Sequence, residues 1–213
     1  MAVTPQPPLV EAFESMKRGA LYLIIAWLLI GIGLMSVIAG SFTSLMLGFH
    51  GGKVLLVGSL VAMAIVLIVG VIIALIGLWG NFIPGTKRLA EVRPEFATSA
   101  TLIQVGLFYG LIVMLIGALL VFVLIGIPII IVGFILLILG YIGLIILSFK
   151  LNETEKNALY LAAGVMFIIS IFVGLAGFIA WILLYIALGE SAKKAKQAPP
   201  TPAPTPSTVI PPV

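Results

Sequence analysis

The chain has 213 residues, of which 62% are hydrophobic and only 8% charged, with a net charge of +4. Soluble domains carry about 25% charged residues, so this composition excludes an ordinary water-soluble protein and makes the small positive charge a topology signal rather than a nucleic-acid signal. It contains no cysteine and one histidine, which excludes disulfides, thiolate metal sites and cysteine nucleophiles.

Pro7 and Pro8 suit the first turn of a helix, where a missing N–H costs nothing. Beyond them Leu9, Val10, Phe13 and Met16 recur at helical spacing, with Glu11, Glu14, Lys17 and Arg18 on the other side. Residues 1–19 read as an amphipathic lead-in lying at the membrane interface, or as a plain solvated segment. A cleaved leader does not fit, because the apolar run continues to Leu47, far beyond a 7–15-residue signal core.

Uncharged runs then set the architecture. Residues 19–52, 54–86 and 157–189 each suit one crossing, and the longer run 96–149 suits two, since a span needs roughly 20 apolar residues. The expected fold is all-α: a polytopic bundle with five spans at about 20–47, 54–80, 99–125, 128–149 and 158–188. Gly40-Ser41 is the expected bend in the first span, and glycines around His50 form the first turn. Segment 81–98 reads as an interfacial loop in which Leu89, Val92 and Phe96 share one face and Pro94 limits any helix. Gly126-Ile127-Pro128 is the expected hairpin between spans three and four. The transmembrane domain, 20–189, gives way at 190–213 to a basic and then Pro/Thr-rich tail with seven prolines, an extended segment unable to bury itself.

With Lys17 and Arg18 inside, the cytoplasmic segments would carry seven basic residues and the outside four, three of them just after the last span. The expected localisation is the cell membrane, N-terminus cytoplasmic and C-terminal tail outside. Asn152-Glu153-Thr154, the one glycosylation triplet, would then lie inside.

No span carries an ionisable group, so proton relays and carboxylate catalysis within the hydrocarbon are not expected, and the chain does not read as an enzyme. No cofactor is implied. The remaining polarity is soft. Gln104, Tyr109 and Tyr141 are candidates for lining a small cavity, against the plainer reading of interhelical hydrogen bonding. Small residues form the stronger pattern: Ser36, Gly40 and Ser44 in span one, Gly106 and Gly110 in span three, Gly133 and Gly140 in span four, Ser170 and Gly174 in span five. Such spacing lets helix backbones approach closely, within one copy, between copies or against a partner.

Three stretches together resemble a known family: Glu14-Ser-Met-Lys17-Arg18-Gly19-Ala20-Leu21-Tyr22, the glycine-punctuated Gly133-to-Gly143 stretch, and Gly174-Leu-Ala-Gly177-Phe-Ile-Ala-Trp181-Ile-Leu-Leu-Tyr185-Ile-Ala-Leu-Gly189. Over about 11–190 the chain is similar to the archaeal domain-of-unknown-function family 973. The resemblance implies a multi-span membrane protein of archaeal source and supplies no functional residue. The reading that results is a structural or accessory component, packing against itself as a homo-oligomer or against a larger membrane complex, with the lipid bilayer as its other partner. The alternative is a transporter or pore for a neutral or hydrophobic solute.

Overall fold

The structure, a computed structural model, describes the backbone of residues 7–120 and 125–197 and the side chains of 8–46, 54–117, 120 and 125–197. The protein is an all-α polytopic membrane bundle, and five of its helices are long and apolar enough to cross a membrane. In chain order the helices are α1 (Pro8–Met46), α2 (Val54–Val92), α3 (Pro94–Gly117), α4 (Gly126–Glu155), the shorter α5 (Ala158–Ser170) and α6 (Gly174–Gln197).

α1 and α2 run antiparallel. A Cβ built on Gly40 would lie 2.5 Å from Ser59 Oγ, one on Gly33 3.4 Å from Val66, and one on Gly19 2.6 Å from Phe82. Gly40 therefore marks a close crossing of two helices rather than a bend. At 47–53, the place of the expected glycine turn around His50, the backbone keeps helical geometry and the side chains are not described.

α3 and α4 form a second antiparallel hairpin that is closer still. A Cβ on Gly106 would run into the backbone of Gly140, and one on Gly133 would lie 2.7 Å from the Met114 nitrogen. Gly117 backs onto Ile130 and Gly143 onto Ile103 in the same register. Glycines thus bring two backbones together where lipid offers no hydrophobic drive for association. Leu120 and Gly126 face each other where the two helices meet, Gly126 N donating to Leu120 O at 3.1 Å, so the chain has already reversed at the start of the expected Gly126-Ile127-Pro128. Gly126 and Pro128 already belong to the first turn of α4, where proline is tolerated.

The lead-in is not a separate interfacial helix. It continues α1, and Leu9, Ala12, Phe13 and Met16 are buried in the core against Ile83, Leu89 and Ala192. Segment 81–98 is not a loop either: α2 passes through a π-helical turn at Leu78–Phe82 and stays helical to Val92. Arg93 then takes an extended backbone, φ −132°, as the residue before a proline prefers, and Pro94–Phe96 form one 3₁₀ turn. Leu89 and Phe96 are fully buried while Val92 is exposed, so they do not share one face.

The fifth apolar segment differs most from expectation. It is not one span over 158–188 but a helical hairpin that turns at Ile171–Val173. Ser170 Oγ donates to Phe167 O at 2.7 Å, and Ile171 N donates to Ile168 O at 3.3 Å, so the last turn of α5 tightens and stops. α6 then runs back beside α5 and α1. Tyr160 near the start of α5 bonds Ser191 near the end of α6 at 2.8 Å, whereas a single helix would hold them about 45 Å apart. Helix α6 also extends to Gln197, past the expected boundary at 189, and Lys196 Nζ lies 2.5 Å from Glu14 Oε1. The two ends of the described chain therefore meet at one end of the bundle. Glu14 and Lys196, expected on opposite sides of the membrane, thus lie at the same end of the bundle. The tail itself, 198–213, lies outside the described residues.

Two consequences can be measured. Gly106→Leu should lower stability by at least about 1–3 kcal/mol through overpacking against Gly140, read as earlier unfolding in a detergent titration. Gly58→Ala, whose Cβ meets nothing within 4 Å, should leave it unchanged or slightly raised. Cysteines replacing Glu11 and Lys193 in this cysteine-free chain should react with an impermeant thiol reagent from the same face of sealed vesicles.

Candidate functional site: the re-entrant hairpin and the charged end

Ten of the eleven basic residues and all seven acidic residues belong to segments that converge on one end of the bundle. The remaining one, Lys53, is outside the described side chains. Below this charged end lies the buried core, linked by aromatic edges. Tyr141 of α4 meets Phe167 of α5 at 6.4 Å between ring centroids, Phe167 meets Trp181 of α6 at 5.2 Å, and Trp181 meets Phe82 of α2 at 5.1 Å. All three are T-shaped, the favoured arrangement, contributing about 0.5–1.5 kcal/mol each beyond area burial. Trp79 of α2 lies 5.0 Å from Phe108 of α3, and both residues sit in π-helical turns, Leu78–Phe82 and Gln104–Tyr109.

The hairpin is anchored at its open end. Asn157 accepts from Leu159 N at 3.0 Å, capping α5, and donates to Glu190 Oε2 at 2.7 Å. Arg93 pairs with Glu155 at 2.8 Å, both largely buried, tying the α2–α3 corner to the end of α4. Lys156, with φ 52°, takes the left-handed conformation that ends α4. The hydrogen bond from Lys196 holds Glu14 below its ordinary pKa of 4.5. A depressed carboxylate pKa means that this pair contributes stability above pH 4.5 and loses it as the pH falls through the lower folded value.

The closed end of the hairpin reaches into the apolar part of the bundle. The 13 residues of α5 rise about 20 Å, less than the ~30 Å hydrocarbon core. α5 by itself is therefore too short to cross that core, and the turn follows it directly. Phe172 and Leu175 are 85% and 68% exposed there. Among the described residues no hydrogen bond takes the carbonyls of Ser170, Ile171 or Phe172, and none uses the N–H of Gly174.

Two apolar hollows flank the turn. One of 780 Å³ lies between α1 and the start of α6, lined by Trp27, Gly31, Ser36, Gly174 and Phe178 among others. One of 210 Å³ lies between α4 and the end of α5, lined by Phe134, Leu137, Ile138, Tyr141, Ser170 and Ile171. The residues singled out from sequence are thus distributed as follows. Tyr141 and Ser170 meet in the smaller hollow, and Ser36 and Gly174 in the larger. Gly40 packs on α2, and Gly106, Gly110, Gly133 and Gly140 pack α3 on α4. Ser44 donates to its own Ser41 carbonyl. Gln104 and Tyr109 line neither hollow; they begin and end the π-helical turn of α3, and Tyr109 is 47% exposed. Ser170 and Gly174 bracket a turn instead of forming one packing face. Sequence reading missed Asn157, Glu190, Tyr160 and Ser191, whose pairing depends on the chain reversal. A single clue was available: the serine-to-glycine interval 170–174 in the middle of an otherwise uniform apolar run.

No group of three or more His, Cys, Asp or Glu that could hold a metal ion occurs among the described residues. A family model described as "Protein of unknown function (DUF973)" matches residues 10–213. No curated protein and no solved structure matches the chain.

The anchor makes a sharp comparison. Asn157→Ala should lose both the cap and the bond to Glu190, costing about 1–3 kcal/mol. Asn157→Asp keeps the cap but sets a carboxylate against Glu190. Its thermal stability should therefore recover as the pH falls below about 4, the ordinary carboxylate range, a recovery that Asn157→Ala will not show.

Proposed function

We propose a function from geometry for this chain, which belongs to the DUF973 family: it is a non-enzymatic packing component of a membrane assembly, joining copies of itself or a larger complex. The observation that carries this reading is the exposed turn at Ile171–Val173. Irregular backbone at hydrocarbon depth persists where protein covers it or where it lines a wet cavity, because an unpaired N–H or C=O in lipid costs several kcal/mol. The surroundings of this turn are almost wholly apolar and would not hold water. Cover by protein is the remaining solution.

Orientation follows from the charges. Ten basic residues on one end against Lys53 elsewhere favour a cytoplasmic charged end, with both termini inside. The Pro/Thr-rich tail then starts in the cytoplasm, which argues against a glycosylated outer stalk. Asn152, at the same end, stays unmodified in this reading. The archaeal source implied by the family resemblance belongs to the same proposal.

A second reading, transport of a neutral or hydrophobic solute, draws on the 780 Å³ hollow beside the turn. Cysteines replacing Ser36 and Ser170 separate the two. In the packing reading they resist an impermeant thiol reagent, and the gently solubilised protein runs as a fixed oligomer or with a defined partner. Ready labelling of either position from water would favour transport and sink the packing reading.

A further inference from the structure

The smaller hollow and the turn beside it lie on one flank of α4, and the helix that carries Tyr109 lies on the other. Tyr109 is 47% exposed on the flank of α3, its ring edge-on to Phe108 at 5.2 Å, while Gly106 and Gly110 of the same helix press on α4 and Phe108 faces Trp79. Its hydroxyl makes no hydrogen bond among the described residues, a costly state for a phenol surrounded by lipid. The carbonyls of Ser170, Ile171 and Phe172 lack donors. One group is a donor and the other a set of acceptors, and they stand at one depth. Gly110 packs on Leu137, and Leu137 lines the hollow together with Ser170 and Ile171.

Between them runs α4. Its outward face carries Ile131, Ile135, Ile138 and Ile142, all exposed, at intervals of four, three and four residues. That spacing is the seam of a left-handed helix pair. α3 lies on one flank of this face and α5 on the other. The charge asymmetry fixes every copy in one orientation in the membrane, so two copies can associate only in parallel. A two-fold axis along the α4 seam then places the α3 of each copy opposite the α5 of the other, at equal depth.

Resting on the packing reading above, we infer that the chain forms a parallel two-fold dimer along α4 in which Tyr109 of each copy enters the 210 Å³ hollow of its partner. There the hydroxyl donates to one of the free carbonyls of the 170–172 turn, or to Ser170 Oγ, which has already given its own proton to Phe167 O. An aromatic anchor filling a pocket, repeated by symmetry, is the pattern of an isologous interface. The same contact covers the turn and satisfies the tyrosine. Neither is satisfied in a single copy.

Two differently tagged copies, one Tyr109→Cys and the other Ile171→Cys, are co-expressed, and the membranes oxidised. A disulfide-linked heterodimer is expected. Leu115→Cys, also exposed on α3 but about 9 Å further along the helix, should give no product with Ile171→Cys. Tyr109→Phe keeps the ring and removes both symmetry-related hydrogen bonds, and should weaken dimerisation about fivefold to tenfold, measured by energy transfer between labelled copies in liposomes. Absence of the heterodimer band, or equal linkage from Leu115→Cys, overturns the dimer. Co-purification with a different protein in that event leaves the packing reading standing. Monomeric protein with a water-labelled turn removes both.

Discussion

A chain whose two ends are salt-bridged to each other has to cross a bilayer an even number of times. The pairing of Lys196 with Glu14 is that constraint here. It is supported by Tyr160 with Ser191 and Asn157 with Glu190 at the same end. Five apolar segments cannot all be simple crossings under it. In the reading proposed above, four of them cross, and the fifth enters, turns and leaves on the side it came from. An exposed surface ion pair contributes little energy by itself. Its value is as a marker of where the chain has gone, while the buried contacts of α6 with α1 and α5 hold it there.

The rest of the architecture follows from how the re-entrant hairpin is held. Packed side chains fill only the half of the bundle nearest the charges, where Phe82, Phe167 and Trp181 interlock and Arg93 reaches Glu155. Farther in, each long hairpin relies on its own internal contacts: Gly40 against Ser59 in one, Gly106 against Gly140 in the other. Side chains there face lipid, and large apolar residues from Leu28 to Ile76 are exposed. One end of the bundle is thus well packed, and the other exposes large apolar side chains.

Much of this was legible before the structure. The positions of the first four spans follow from charge-free length, and the break at Arg93 follows from Pro94. The glycines of the third and fourth spans have close-approach spacing, and α3 packs on α4 through Gly106, Gly110, Gly133 and Gly140. The reversal at 171–173 was not legible. Ser170 and Gly174 fit a packing pair as well as they fit a turn, and a 33-residue uncharged run admits a single long helix. Nor could the sequence show that the lead-in is core: Leu9, Phe13 and Met16 have the same spacing whether they face headgroups or Leu89. The basic residues after Gly189 conflicted with the positive-inside rule only because the fifth segment was counted as a crossing. In the proposed orientation, with that segment folded back, the conflict disappears.

By itself the sequence determined the solvent and the currency of packing. Long runs without charge commit these helices to lipid, and lipid commits their association to small residues, because burial of apolar surface yields nothing there. Only the tertiary structure decided that the fifth segment folds back on itself and that Glu14 and Lys196 share one end of the bundle. The physical reason is that local periodicity in a uniformly apolar segment says that it is a helix and leaves open whether the helix continues or folds back. Contacts between residues thirty or more apart, such as Tyr160 with Ser191, make that choice.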